Sequence, residues 1–198
     1  MTHKCRRFAL HIAVSLGLPG LLAASVHAEP PVRSTDVPVR VKLSRDLQRV
    51  AADMLARSPT FRAQLERLAG TEGLSVTAEF DPTIGHRSFR ARSVIHRLRT
   101  GEMVAVIGIA SHCNPVEWLA HEFEHVLEQV EGIDLPRLAR RSGSVWRSAG
   151  GDMFETERAI RAGQRVLGEM RVERARQTFL SNHGVPGDEI VGAADLAP

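Results

Sequence analysis

The stretch from Trp118 to Leu127, WLAHEFEHVL, contains residue types that can do chemistry at a helical spacing. His121 and His125 are four residues apart, so on a helix both imidazoles project from one face. Such a pair can bind one metal ion at about 2.0–2.1 Å. Glu122 lies beside the pair and can accept a proton from a water molecule that the ion polarises. The motif His-Glu-x-x-His therefore predicts a zinc site with a general base next to it.

The residues around the motif predict the helix that must carry it. Asn114-Pro115 is a typical helix start, and Gly132 is a typical end. Neither lysine nor arginine occurs between Pro115 and Gly132, although a surface helix would more often carry them. The apolar residues cluster on the side almost opposite the two histidines: Val116, Leu119, Phe123, Val126, Leu127 and Val130. We therefore expect a helix that is anchored by its apolar face and presents the histidines to a buried site.

A third protein ligand must come from another segment. A long last helix is predicted from Asp152 to about Phe179, and its first turn offers Glu155 and Glu157. On a helical wheel Glu157 falls on a polar face, whereas Glu155 shares a stripe with Ala159, Ala162, Gly163, Val166 and Met170. A carboxylate on a buried stripe is costly unless it is paired or binds a metal. Glu155 is thus the expected third ligand, and Glu157 is the alternative.

Four further residues are candidates for supporting roles. Glu128 lies one turn beyond His125 and is expected to hydrogen-bond a ligand or to remain a surface carboxylate. The chain has no tyrosine, which leaves Arg147 and His183 as candidates to stabilise an oxyanion or contact substrate. Cys113 lies eight residues before His121 and is a conceivable ligand, although a buried thiol is the favoured interpretation.

The remaining elements predict an α+β domain over residues 44–182. A helical pair comes first, from Ser44 to Arg57 and from Phe61 to Ala69. About three strands follow, in a small mixed or antiparallel sheet: Leu74–Phe80, Ser88–Leu98 and Glu102–Ile109. The sheet would pack against the histidine helix and the long last helix, with a loop at 133–151 between them.

The first 28 residues have the pattern of an export signal. Basic residues precede an apolar run that ends in Val26-His27-Ala28, which predicts cleavage after Ala28. An uncleaved membrane anchor is the alternative. The pair Arg6-Arg7 also fits a twin-arginine signal, beside the simpler interpretation of an ordinary basic start. We expect a periplasmic or secreted protein without stable membrane insertion, with a proline-rich arm at 29–43 and a tail at 183–198.

Charge gives no support to a nucleic-acid partner. The net charge of +3 comes from the predicted signal, because Lys4, Arg6 and Arg7 lie there with no acidic residue. The remainder of the chain is therefore about neutral. A neutral net charge gives no argument for nucleic acid or an acidic membrane surface as a partner.

The motif and its surroundings resemble the zincin metallopeptidases. The resemblance covers His121 to His125, the apolar strand at Glu102–Ile109 and the following helix. In zincins such a strand lies beside the active-site helix and can pair with the substrate backbone. Glu124 is a departure, because the extended motif usually has an uncharged residue there. Glu128 and Glu131 replace the glycine and histidine of metzincins, so the chain is more similar to gluzincins.

The resemblance implies a zinc-dependent peptidase. His121, His125 and a later glutamate would hold the zinc ion, and Glu122 would be the general base for the hydrolysis of a peptide or protein substrate. The chain is also similar to small exported bacterial HExxH proteins. The alternative is a non-catalytic exported zinc-binding protein, or a degenerate zincin that serves as a binding module. In a third interpretation the motif is accidental and the chain is a structural exported domain.

Overall fold

The computed structural model describes residues 40–84, 90–147 and 153–183. These residues form an α+β fold, as the sequence predicts, with five helices, a four-stranded sheet and a two-stranded ribbon. The predicted signal at 1–28 lies outside the described residues, as do most of the predicted arm and nearly all of the predicted tail. Within the described ranges, no helix is long and apolar enough to cross a bilayer.

Two helices form the predicted N-terminal pair, α1 at Arg45–Arg57 and α2 at Pro59–Gly70. Ser58 separates them, and its hydroxyl accepts a hydrogen bond from the backbone N–H of Phe61 at 3.0 Å. A side-chain oxygen in this position caps a helix, and proline fits the first helical turn because it lacks an N–H. Helix α2 therefore begins before the predicted start at Phe61.

The main sheet has one strand more than predicted. Its strands are β1 at Val41–Leu43, β2 at Leu74–Phe80, β3 at Ala91–Arg97 and β4 at Met103–Ile109. Their order is β1-β2-β4-β3, with β1, β2 and β4 parallel and β3 antiparallel to β4. Strand β1 is the end of the predicted arm, and its three residues are too few to show an alternating pattern. Because β4 is interior, β3 is the edge strand on this side of the sheet.

Helix α3, at Pro115–Val130, carries the histidine motif and matches its predicted range. The side chain of Asn114 accepts a hydrogen bond from the backbone N–H of Val116 at 3.1 Å and so caps the first turn. On the apolar face, Phe123 is fully buried, and its ring stacks on Phe61 at a centroid distance of 5.7 Å. The core thus fixes the rotation of α3, and with it the direction of the histidines.

The segment after α3 differs from the prediction. It contains a short helix α4 at Leu135–Ala139 and an antiparallel ribbon of β5 at Val145–Arg147 and β6 at Phe154–Thr156. The last helix, α5 at Glu157–His183, begins later than the predicted Asp152. Pairing with β5 satisfies the backbone of residues 154–156, so these residues form a strand instead of a first helical turn.

Helices α3 and α5 approach each other closely at Gly163. A Cβ atom at this position would lie 2.7 Å from the carbonyl oxygen of Glu117 and 3.3 Å from the Cβ of His121. The first distance is shorter than a non-bonded contact allows, and the oxygen belongs to the backbone of a packed helix. The absence of a side chain at Gly163 therefore permits the contact that brings α5 against the histidine helix.

We expect Gly163→Ala to destabilise the protein, because α5 must shift away from α3. Overpacking of this kind costs about 1–3 kcal/mol, which outweighs the roughly 1 kcal/mol that alanine contributes as a helix former. Gly168→Ala is the matched control, since a Cβ there meets nothing within 4 Å. Thermal unfolding should show a lower midpoint for Gly163→Ala and an unchanged or higher one for Gly168→Ala. Equal midpoints would contradict the close contact.

Candidate metal centre

Three side chains from two elements converge at the cleft-facing side of α3. The Nε2 atoms of His121 and His125 lie 3.2 Å and 3.4 Å from the Oε1 atom of Glu155. All three ligand atoms lie within 4.8 Å of one another, and the three residues together could hold a metal ion. Two ligands at about 2.0–2.1 Å from a tetrahedral zinc ion are roughly 3.3–3.4 Å apart, so the distances to Glu155 fit such an ion.

Glu155 reaches this position from β6 and not from a helix. It pairs across the ribbon with Trp146 of β5, and β6 leads directly into α5, which packs on α3. The backbone N–H of Thr156 donates a hydrogen bond to the Oε1 atom of Glu155 at 2.9 Å and restrains the carboxylate. Glu155 does lie beside the two histidines, as predicted, but it belongs to a strand and not to the first turn of the last helix.

Glu128 is fully buried and orients His125. Its Oε2 atom lies 2.9 Å from the Nδ1 atom of His125, and its Oε1 atom accepts a hydrogen bond from the Thr156 hydroxyl at 2.7 Å. The same hydroxyl accepts from the backbone N–H of Ala159 at 3.0 Å and caps α5. With Nδ1 engaged by a carboxylate, Nε2 is the nitrogen of His125 that remains for a metal. Glu128 is therefore not a surface carboxylate, and it contacts the predicted ligand His125.

The electrostatics of the three residues favour a positive charge between them. Burial lowers the pKa of His125, but hydrogen bonds to Glu128 and Glu155 outweigh it and raise the pKa to about 10. Burial raises the pKa of Glu155, yet hydrogen bonds from both imidazoles hold it at about 2. Glu155 thus acts on both imidazoles and Glu128 on His125 alone, and a cation bound between them would also be stabilised by this negative charge.

Glu122 lies next to the ligand set with only 3 % of its surface exposed. Burial raises the pKa of its carboxyl group above the usual value. The two imidazoles and a hydrogen bond from the Ser93 hydroxyl lower the pKa, but they do not outweigh the burial. Ser93 belongs to the edge strand β3, so the carboxyl group of Glu122 lies between α3 and the sheet edge. A carboxyl group in such a position is suited to proton transfer in a cleft.

Glu124, the charged residue that departs from the usual motif, has its partners away from the cleft. Its carboxylate accepts hydrogen bonds from Gln64 at 2.7 Å and from Arg158 at 2.6 Å. Arg158 also pairs with Glu131 at 2.5 Å. Glu124 thus joins α3 to α2 and α5 and does not line the cleft, so its charge is compatible with the motif.

The structure does not bring the other candidate residues to the centre. Glu157 is exposed and pairs with Arg161 at 2.5 Å. Arg147 extends over the ring of Phe154 at 5.5 Å, and His183 is exposed at the end of α5. None of these three lines the cleft, and Cys113 is a free, half-buried thiol outside the ligand group.

The centre opens into a cleft of about 470 Å³. One wall is formed by Arg90 and by residues 91–93 and 95 of the edge strand β3. The other wall is formed by α3, the start of α4 and the β5–β6 ribbon. The resemblance implied the strand at Glu102–Ile109 for this position, which is incorrect. That strand is β4, and both of its edges are already paired, so among the described residues β3 is the strand that presents an edge to the cleft.

Sequence reasoning missed four residues that shape the centre: Ser93, Trp118, Thr156 and Trp146. Trp118 precedes His121 by one helical turn, and its ring lies 4.9 Å from the imidazole, so helical spacing alone would have identified it. Thr156 directly precedes α5 and caps it, but the helix was predicted to begin earlier, at Asp152, and that start hid the role of Thr156. The position of Ser93 depends on the packing of β3 beside α3, and that of Trp146 on the pairing of two three-residue strands that are too short to show an alternating pattern.

No family model, no curated protein and no solved structure matches the chain. The residues of the candidate centre and their geometry are therefore the basis for a proposed function.

Proposed function

We propose that this protein is an exported zinc-dependent peptidase. The observation that carries the proposal is the meeting of His121, His125 and Glu155 beside the buried carboxyl group of Glu122, in a cleft open to solvent. A structural metal site would have four protein ligands and no need for an acid or base next to it. Three ligands with an adjacent carboxylate are typical of a catalytic site.

Zinc is the proposed metal because of the donor atoms and their spacing. Two imidazole nitrogens and one carboxylate oxygen form the ligand set of several zinc hydrolases, and the distances to Glu155 suit a tetrahedral ion. Zinc in such a site supplies Lewis acidity, which lowers the pKa of a water ligand and polarises a carbonyl group. Iron(II) also accepts two histidines and one carboxylate, so metal analysis must distinguish the two.

Glu122 is the proposed general base. Its carboxylate would accept the proton of the attacking water and pass it to the nitrogen of the leaving amine. Ser93 would orient that carboxylate from the edge strand. Glu128 would hold the Nδ1 atom of His125, so that the Nε2 atom faces the metal. Peptide hydrolysis needs this transfer because an amine leaves readily only after protonation.

A peptide is the proposed substrate because the cleft runs along a free strand edge. Within the described ranges β3 pairs with β4 alone, so the N–H and C=O groups along its other edge can hydrogen-bond an extended peptide, which adds to the sheet as a further strand. Such pairing recognises the backbone and would place a peptide bond across the ligand set. The proposed setting outside the cytoplasm depends on the basic and apolar pattern of residues 1–28.

We expect the purified protein to contain one equivalent of zinc and to cleave unstructured peptides. Removal of the metal with a chelator should abolish cleavage, and one added equivalent of zinc should restore it. Elemental analysis and mass spectrometry of a peptide digest measure the two properties. One equivalent of iron without zinc would contradict the metal assignment. Bound zinc without cleavage of any peptide would instead support the non-catalytic binding module.

A further inference from the structure

Both tryptophans of the chain line the cleft. Trp118 belongs to α3 and is already engaged, because the His121 ring lies 4.9 Å from it and the Arg90 guanidinium lies 5.7 Å over its ring. Trp146 belongs to β5 and leaves 42 % of its surface exposed. A large aromatic side chain that remains exposed within a concave site is available for a ligand.

The ribbon directs Trp146 towards the centre. Trp146 and Glu155 are directly opposite each other in the antiparallel pair of β5 and β6. Residues directly opposite in such a pair project from the same face, with Cβ atoms about 4.5–5.5 Å apart. The indole therefore stands beside the carboxylate that meets the histidines. Arg147, the next residue along β5, projects from the other face and lies over Phe154.

The surroundings of Trp146 are apolar. Leu135 and Met153 line the cleft together with Trp146, and α4, which begins at Leu135, contacts both strands of the ribbon. Arg90 and Arg92 line the cleft from the edge-strand side. An apolar side chain packed beside Trp146 would remove apolar surface from water, whereas a charged one would lose hydration there.

We propose that the cleft selects peptides with a large apolar side chain next to the bond to be cut, and that Trp146 holds this side chain. The inference depends on the proposed function, since it names the substrate class of the same site. Because Trp146 is the cross-strand neighbour of Glu155, a side chain packed on the indole belongs to a residue that flanks the scissile bond. Trp146 is thus assigned as a specificity-determining residue that contacts substrate.

Equilibrium binding tests this assignment separately from catalysis. Fluorescein-labelled octapeptides of alanine and serine, with Phe, Leu, Ala or Asp at one central position, are titrated against zinc-loaded Glu122→Gln protein, and anisotropy is recorded. We expect the Phe and Leu peptides to bind roughly 10–100-fold more tightly than the Ala peptide, as a hydrophobic pocket discriminates, and the Asp peptide to bind most weakly.

Variants at Trp146 locate the source of the preference. In the same background, Trp146→Ala should reduce the preference for Phe over Ala at least tenfold, and Trp146→Phe should retain most of it. Arg147→Ala is the matched control, because it changes the same strand on its other face and should leave the preference intact. Equal zinc content in all variants verifies that the ligand set has been preserved.

The possible outcomes separate the two proposals. Equal binding of the Phe, Ala and Asp peptides, or a preference that survives Trp146→Ala, overturns the inference whether or not the native protein hydrolyses peptides. A preference that depends on Trp146, together with no hydrolysis by the native protein, supports the inference and rejects the peptidase reaction. If no peptide binds the zinc-loaded protein, the inference is overturned, and cleavage assays on the native protein decide the peptidase proposal independently.

Discussion

Glu122→Gln should retain one equivalent of zinc and lose nearly all peptide hydrolysis. The amide preserves the shape of the carboxyl group but cannot accept a proton, and general acid–base catalysis contributes about 10²–10⁴-fold to such reactions. The ligand set itself is unchanged, because Glu122 is not among the three residues that converge on the site. The measurements are kcat on a cleaved peptide and the zinc content of the same preparation.

Two comparison variants show whether the loss is specific. Glu117→Gln makes the same chemical change on the same helix at a residue that does not line the cleft, and its kcat should remain near native. His121→Ala should lose both zinc and hydrolysis, because it removes a ligand. A native rate for Glu122→Gln would reject this residue as the base and, with it, the proposed mechanism.

Glu155→Ala should weaken zinc binding much more than Glu157→Ala. Loss of an outer hydrogen-bond partner of a ligand typically costs about 10–100-fold in metal affinity, and loss of a ligand should cost more. The Oε1 atom of Glu155 lies 3.2 Å and 3.4 Å from the two imidazole nitrogens, whereas Glu157 is exposed and paired with Arg161. Glu157→Ala should therefore bind zinc with near-native affinity.

Competition with a chromophoric chelator measures both zinc dissociation constants. Glu155 and Glu157 are two positions apart in sequence, on either side of the junction between β6 and α5. Glu157→Ala therefore controls for a general disturbance of this junction. Similar affinities for the two variants would remove Glu155 from the ligand set. The reverse ranking would assign the third ligand to Glu157, the alternative that the sequence left open.

The histidine helix was predictable because its signals are local. Its cap at Asn114, its apolar periodicity and the absence of basic residues all lie within one continuous segment, and each agrees with the structure. The helical pair was predictable for the same reason. Strand β1 was not, since a three-residue strand gains its stability from parallel pairing with β2, which no short sequence window contains.

The type of element that contains Glu155 could not be predicted from the local sequence. Residues 154–156 precede a long helix without a break in pattern, so a helical start there was a natural inference from sequence. Pairing of Trp146 with Glu155 decides the outcome, and a strand of three residues such as β5 has too few positions to predict that pairing. The choice of β3 over β4 as the edge strand has the same origin, because sheet order is a property of tertiary pairing.

The contact between β6 and α3 has a further consequence for the segment between them. About 30 residues separate His125 from Glu155, and an ion bound to both would close this segment into a loop and reduce the conformational entropy of its open states. The ion would act as a cross-link for a segment that contains no cysteine and therefore forms no disulfide. Loss of the ion would release α4 and the ribbon before it disturbed the sheet and the helical core. Export to a metal-poor environment would then expose this segment to proteases, so the supply of metal would govern the lifetime of the protein as well as its activity.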